Sequence, residues 1–284
     1  MRLANIIIAH KDPQQLERLI EKMTYPGFDF YIHLDKKIDI KHFEYLKLKP
    51  NVHFITNRIE CNWGGYSTLE AMVGSLKEVL TNEIHYGFYN LLSAQDYPIK
   101  SNKFINQFYE NNADKSFIYY EEGSVWWSGG LERFQRYHLT DFNFKGKYVL
   151  ERLINLLTPK RKFPFEGKLY GGSKASWWSL NQEAATYLLE FFSSNVKLGR
   201  FLRFCWGTDE FVIPTILMNS PFRDQVVNDN LRYIKFPPGM ANPQILDVDD
   251  FDDIKRSDML FARKFDQNQS TILLDKIDQY IESE

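Results

Sequence analysis

Apolar residues alternate between unbroken runs and helical spacing through the first 120 positions. Leu3 to Ala9 is a nearly continuous apolar run, the pattern of a strand buried on both faces. It ends at His10-Lys11-Asp12-Pro13. Asp12 suits a helix N-cap, Pro13 suits the first helical turn, and Leu16, Leu19, Ile20 and Met23 make one apolar face. Phe28–Leu34 predicts a second strand, closed by Asp35-Lys36-Lys37, and Val52–Ile55 a short third. Strand, helix and strand in this order form a βαβ unit. Ser67 is then expected to cap an amphipathic helix ending near Leu80. Tyr86–Leu92 predicts a buried strand, Ser101 opens another helix, and Ser116–Tyr120 predicts a fifth strand. The expectation is an open, mostly parallel sheet.

Beyond residue 121 the pattern is less regular. A segment containing Trp126, Trp127 and the charged run Glu132-Arg133-Phe134-Gln135-Arg136 precedes a helix at Val149–Leu157. A basic, proline-containing loop follows from Thr158 to Lys168. Trp177–Leu180 predicts a strand followed by a helix capped by Asn181. Thr208 is expected to cap a helix from Asp209 to about Leu217, kinked or shortened by Pro214. Pro237-Pro238-Gly239 predicts a turn, and an acidic stretch from Asp247 to Asp253 leads to a final amphipathic helix at 270–281. No repeat or linker interrupts the chain. A single domain over 1–284 is expected, with a nucleotide-binding half to residue 121 and an acceptor and catalytic half after it.

Composition narrows the possibilities. A net charge of −2 gives no overall reason to bind nucleic acid. With 45 aromatic residues (16 Tyr, 23 Phe and 6 Trp), the chain suits either a large aromatic core or sugar-stacking surfaces. Two isolated cysteines, Cys61 and Cys205, fit a reducing compartment rather than a disulfide framework. No stretch has the length of a membrane span or the form of a signal peptide, so the cytosol is the expected location. Loop 158–165 is basic and aromatic; a solvated loop is its simpler reading, and peripheral docking at the inner face of a membrane the alternative.

Ligands in such a sheet bind beyond the carboxyl ends of the strands. Four polar clusters fall there: His10-Lys11-Asp12, Asp35-Lys36-Lys37, Trp63-Gly64-Gly65-Tyr66-Ser67 and Gln95-Asp96. Each alone also fits a solvated turn, and Asp35 and Asp96 are the candidates for ribose or base contacts. Glycine-rich dinucleotide and phosphate loops, a nucleophile elbow and metal-ligand spacings are all absent from the sequence. Asp209-Glu210 fits two readings equally: acids favoured by a helix dipole, or a carboxylate base aimed into a cleft. Lys264 lies between Phe261 and Phe265, as either an exposed lysine or a counter-ion for a departing diphosphate. Asp247-Val248-Asp249 is either an acidic helix start or a metal-binding pair.

Taken in order, several runs resemble the core-2/I-branching N-acetylglucosaminyltransferase and peptide xylosyltransferase family, in its compact bacterial form. They are Ile32-His33-Leu34-Asp35, Trp63-Gly64-Gly65-Tyr66-Ser67, Leu92-Ser93-Ala94-Gln95-Asp96-Tyr97-Pro98-Ile99, Trp177-Trp178-Ser179-Leu180, Thr208-Asp209-Glu210-Phe211, Leu231-Arg232-Tyr233-Ile234 and Leu260-Phe261-Ala262-Arg263-Lys264-Phe265. The resemblance implies an α/β fold of GT-A type, a Rossmann-like mostly parallel sheet flanked by helices. It also implies an inverting, metal-independent transfer of GlcNAc or xylose from a UDP-sugar to a carbohydrate hydroxyl, with no further cofactor. It carries Glu210 over as base, Lys264 as diphosphate ligand and Asp35 as nucleotide contact. His10, Asp96, Arg232 and Arg263 complete the expected nucleotide-sugar set, with Glu132, Arg136, Trp177 and Trp178 expected on the acceptor side. The family's second diphosphate cation falls on Ala241, and Arg232, Arg256 or Arg263 are the candidate substitutes. The glycan acceptor can be lipid-linked. The alternatives are a carbohydrate-binding protein on a transferase fold and a metal-dependent transferase using Asp247 and Asp249.

Overall fold

The computed structural model describes residues 1–123, 130–237, 239–240 and 242–283. Trp126, Trp127, Pro238 and Ala241 therefore lie outside the described residues.

Twelve strands are described. They are β1 (Leu3–Ala9), β2 (Phe28–Leu34), β3 (Val52–Phe54), β4 (Phe88–Ser93), β5 (Asp96–Pro98), β6 (Ser116–Ile118), β7 (Glu121–Glu122), β8 (Tyr170–Gly171), β9 (Trp178–Asn181), β10 (Val226–Val227), β11 (Arg232–Ile234) and β12 (Phe261–Arg263). Seven form the main sheet in the order β10-β6-β9-β4-β1-β2-β3. Its strands pair in parallel except β9, which runs antiparallel to both β4 and β6. This is the expected α/β architecture, a mostly parallel sheet with helices on both faces.

β1 shows how the sequence builds the layers. Its residues alternate between faces, as strand pleating requires. Leu3 and Ile7 join one core with Leu16, Leu19 and Ile20 of helix α1 (Pro13–Lys22) and Leu273, Leu274 and Ile277 of the C-terminal helix Gln267–Ser283. Ala4 and Ile6 join the other with Leu69, Met72 and Leu76 of helix α2 (Tyr66–Leu80) and Leu188 of the helix Gln182–Ser194. The strand is apolar except for Asn5, which hydrogen-bonds to Asp29 O and Asn90, because helices cover both faces.

Several local expectations shift for physical reasons. Gly65, not Ser67, occupies the N-cap of α2. Ser67 lies inside the first turn, where its hydroxyl accepts from the Asn62 amide at 2.9 Å and donates to Asp141 at 2.5 Å. Thr208 does not cap a long helix: Thr208–Glu210 is a single 3-10 turn after Gly207, whose φ of 63° suits glycine. The helix proper is Val212–Met218, and Pro214 sits in its first turn, where no intrahelical N–H bond is lost.

A small second sheet, ordered β11-β12-β5, lies beside the carboxyl end of β4. Backbone bonds from Phe265 N to Gln95 O (2.9 Å) and Ile99 N to Leu260 O (2.9 Å) fasten the Arg263–Phe265 segment there.

Candidate active site

The carboxyl ends of β1, β2 and β4 open into a cleft of about 520 Å³. Its wall includes His10 after β1, Asp35 and Lys37 after β2, and Ser93 and Gln95 after β4. Trp63, Ser176, Trp177, Asp209, Glu210, Arg263 and Lys264 also line it. The four strand-end clusters read from the sequence thus converge on one cavity, as expected for an open α/β sheet.

Glu210 lies at the end of the 3-10 turn. Its side chain is 22% exposed, and Oε2 accepts a 2.5 Å hydrogen bond from Nη1 of Arg133. Among the described residues, Oε1 accepts no hydrogen bond. Burial raises the Glu210 carboxyl to about 7; the neighbouring Asp209 adds to this, while Arg133 opposes it. Asp209 is also raised, chiefly by burial, although its carboxylate accepts from Ser176 Oγ at 2.8 Å. A base near neutral pH is a carboxyl whose desolvation has been only partly offset by a cation.

Among the described residues, Arg133 is held on three sides. Its carbonyl accepts from Trp206 N at 2.8 Å, its guanidinium lies 4.5 Å from the centre of the Trp206 ring, and Glu210 binds Nη1. Gly207 and Gly64 make this packing possible. A Cβ on Gly207 would lie 2.4 Å from Arg133 Nη1, and one on Gly64 2.3 Å from Trp206 Nε1. Trp63 crosses Trp206 edge to face at 5.4 Å and is 67% exposed at the rim.

Cationic side chains also line the cleft. Lys264 follows β12, and its pKa is lowered by burial and by the neighbouring Arg263 and Lys11. Among the described residues its ammonium has no ion-pair partner. Burial likewise lowers His10, with Lys11 and Lys264 adding to the effect. Arg263 is nearly buried, 3.4 Å from Asp96 Oδ1 and 4.3 Å from the centre of the Trp177 ring. Asp35 is buried, with Oδ1 accepting from Lys37 N at 2.9 Å and Oδ2 3.6 Å from Lys37 Nζ. Arg58 clamps the turn by donating to the carbonyls of Leu34 and Asp35, both at 2.9 Å, and to that of Ile38 at 2.5 Å.

The profile of the Core-2/I-Branching enzyme family matches residues 3–255. The chain belongs to that family.

Its curated relatives include Xylosyltransferase 1 of Rattus norvegicus, 24% identical over 99% of this chain and 35% of the relative. Xylosyltransferase 2 of the same species is 26% identical over 99% of this chain and 34% of the relative. The chain thus spans about a third of the length of these relatives. Among solved structures, apo mouse Xyloside xylosyltransferase 1 superposes with a TM-score of 0.42 at 13% identity, covering 92% of this chain and 97% of that one.

Within this Core-2/I-Branching chain, Glu210, Lys264, Asp35, His10, Arg263 and Trp177 all line the cleft. Five other expected residues take different places. Arg232 is spent inside the sheet, donating to Asn90 Oδ1 at 2.6 Å and Leu91 O at 2.7 Å, and it satisfies a buried polar chain rather than facing the cleft. Asp96 stands one layer behind, accepting from Ser93 N at 3.1 Å beside Arg263. Trp178 is fully buried in the core, because strand alternation turns it away from Trp177. Glu132 and Arg136 pair with each other at 3.8 Å on the outer face of a short helix and do not line the cleft. Their i,i+4 spacing puts them together and turns Arg133 to the other side. The sequence pattern named Lys37 only within the Asp35-Lys36-Lys37 cluster and gave no sign of Ser176; only the charge of the 132–136 run hinted at Arg133.

The Asp247 carboxylate is engaged in a capping box, accepting from Asp249 N at 3.0 Å. Neither Asp247 nor Asp249 lines the cleft, and Arg256 pairs with Asp253 at 2.6 Å. The expected second cation on Ala241 falls outside the described residues.

Proposed function

We propose that the chain transfers a sugar, GlcNAc or xylose, from a UDP-sugar to a carbohydrate hydroxyl with inversion at the anomeric carbon. The observation that carries this reading is the carboxyl of Glu210, raised to about 7 in a cleft that Lys264, Arg263 and His10 also line. Glu210 takes the proton of the acceptor hydroxyl as its oxygen forms a bond to the anomeric carbon. The bond from that carbon to the β-phosphate oxygen breaks, and UDP leaves with the electron pair. Lys264, with Arg263 behind it, neutralises the charge that develops on the diphosphate, work that a metal ion does elsewhere. Asp35 suits a ribose or base contact, and Trp63 and Trp177 offer faces for a sugar ring. No further cofactor takes part. The reaction is assigned to the cytosol, a reducing compartment that suits Cys61 and Cys205, both free thiols.

The reading is tested by calorimetry with a panel of UDP-sugars in EDTA, followed by proton NMR of the product formed with the tightest donor. Binding in EDTA and a product anomer opposite to that of the donor are expected. Retained configuration, or binding that requires a divalent ion, would overturn it.

A further inference from the structure

The helix Lys147–Leu157 contains no buried residue. Val149, Leu153, Leu156 and Leu157 are 65, 49, 77 and 80% exposed, and their spacing gathers them with Leu150 into one stripe. The polar side of the helix is the side turned to the protein. Glu151 Oε2 accepts from Leu139 N at 2.7 Å. Asn155 accepts from Tyr137 N and donates to Tyr137 O, both at 2.8 Å, and Lys147 donates to Thr140 O at 3.3 Å. A helix in water ordinarily turns its apolar stripe to the core; this one is fastened the other way round. Phe142 and Phe144, just before it, are also exposed.

Charge identifies what covers the stripe. Residues 142–162 hold six lysines and arginines against one acid, in a chain of net charge −2. The acid, Glu151, already accepts the Leu139 amide. Arg161 is spent inward on the carbonyls of Phe201 and Phe204, at 2.6 and 2.8 Å. Lys145, Arg152, Lys160 and Lys162 are exposed around the stripe. An apolar stripe rimmed by cations and aromatic rings fits the interface of an anionic bilayer, where long basic side chains reach phosphate while leucines enter the acyl boundary.

We propose that this helix and its flanks lie on an anionic membrane surface. Eleven residues span about 16 Å, too short to cross a bilayer and long enough to lie in its plane. The face is tied to the cleft through the segment it is fastened to. Asp141, at the end of that segment, accepts from Ser67 N at 2.9 Å at the start of α2, beside the rim residue Trp63. The proposal stands independently of the transferase reading.

The test is co-flotation of the full chain with vesicles of phosphatidylcholine alone or with added phosphatidylglycerol. Binding is expected on the anionic vesicles and should weaken with salt. Lys160→Glu with Lys162→Glu should weaken it by at least about fivefold per site. Leu156→Asp with Leu157→Asp should abolish it, with the melting temperature unchanged because these side chains are already exposed. Equal binding to neutral vesicles, or no binding to either, would overturn the proposal. So would self-association in sedimentation that the leucine pair abolishes, since that outcome assigns the face to a second copy of the chain.

Discussion

Replacing Glu210 by glutamine keeps the shape of the side chain and removes the charge, and two independent measurements should respond. The first is stability. In the folded protein the carboxyl is raised from its ordinary 4.5 to about 7. A raised carboxyl means that the folded state holds the proton more tightly than the unfolded chain. Its unfavourable contribution is therefore absent below about 4.5, grows as pH rises, and is complete above about 7. At about 1.4 kcal/mol for each pH unit between those values, ionised Glu210 costs the fold about 3 kcal/mol. Asp209 is raised too, so the measured curve belongs to the pair. Glutamine carries no charge and still offers an oxygen to Arg133. Urea unfolding of both proteins from pH 5 to pH 8.5 should therefore show the variant gaining on the wild type by about 2–3 kcal/mol as pH rises.

The second measurement is turnover with the best donor. Loss of a general base costs roughly a hundredfold to ten-thousandfold, and the affinity for the UDP-sugar should stay within about threefold because the diphosphate end is untouched. A stability difference that does not change with pH would refute the desolvation argument. Turnover near the wild-type value would refute the base.

Other predictions follow from the same geometry. Arg133→Leu removes the cation that holds Glu210 down, so the acidic limb of kcat/KM should move to higher pH, with activity partly restored there; an unmoved limb would remove Arg133 from the site. Lys264→Ala should weaken UDP binding by roughly tenfold or more, the usual loss for a charge-assisted contact, while leaving the melting temperature unchanged; unaltered affinity in calorimetry would count against its role. Trp178→Ala should cost about 3–5 kcal/mol in urea unfolding, as for other buried large-to-small changes, with turnover per folded molecule preserved; lost turnover in the folded variant would return Trp178 to the acceptor site.

Much of the frame was legible because it depends on long periodic signals. β1, β2, α1 and α2 announce themselves through runs and stripes that survive a shift of a residue at either end, and the strand-end rule then locates the cleft. The small sheet was not legible, since β5, β11 and β12 are three residues each and too short to show alternation. Yet that sheet sets Lys264 beside the end of β4. Trp177 and Trp178 show a different limit. Alternation requires them to face opposite ways, and nothing local decides which one faces the ligand. Arg232 was misread for a third reason: a charged residue near a site ordinarily faces it, but the interior polar chain of Asn90 and Ser179 required a donor, and Arg232 supplies it.

The electrostatics of the cleft give the arrangement its chemical sense. A displacement at an anomeric carbon moves charge in one direction: a proton leaves at the acceptor end while negative charge accumulates at the diphosphate end. On the proposed reading, the cleft holds groups suited to both of these changes. Asp209 and a desolvated Glu210 line it, and the raised pKa of Glu210 favours taking up a proton. Lys264 and His10 line the same cleft and are pushed towards losing protons, first by burial and then by neighbouring cations, so an arriving anion relieves them. On that reading each group is unfavourable in its charged form in the empty protein and improves as the reaction proceeds. Electrostatic preorganisation requires this, since interactions that strengthen only towards the transition state lower the barrier without merely tightening substrate binding. The cost is borne by the fold, in the about 3 kcal/mol spent on an ionised Glu210, and so stabilising that carboxylate further with a second cation should make the protein more robust and the base weaker.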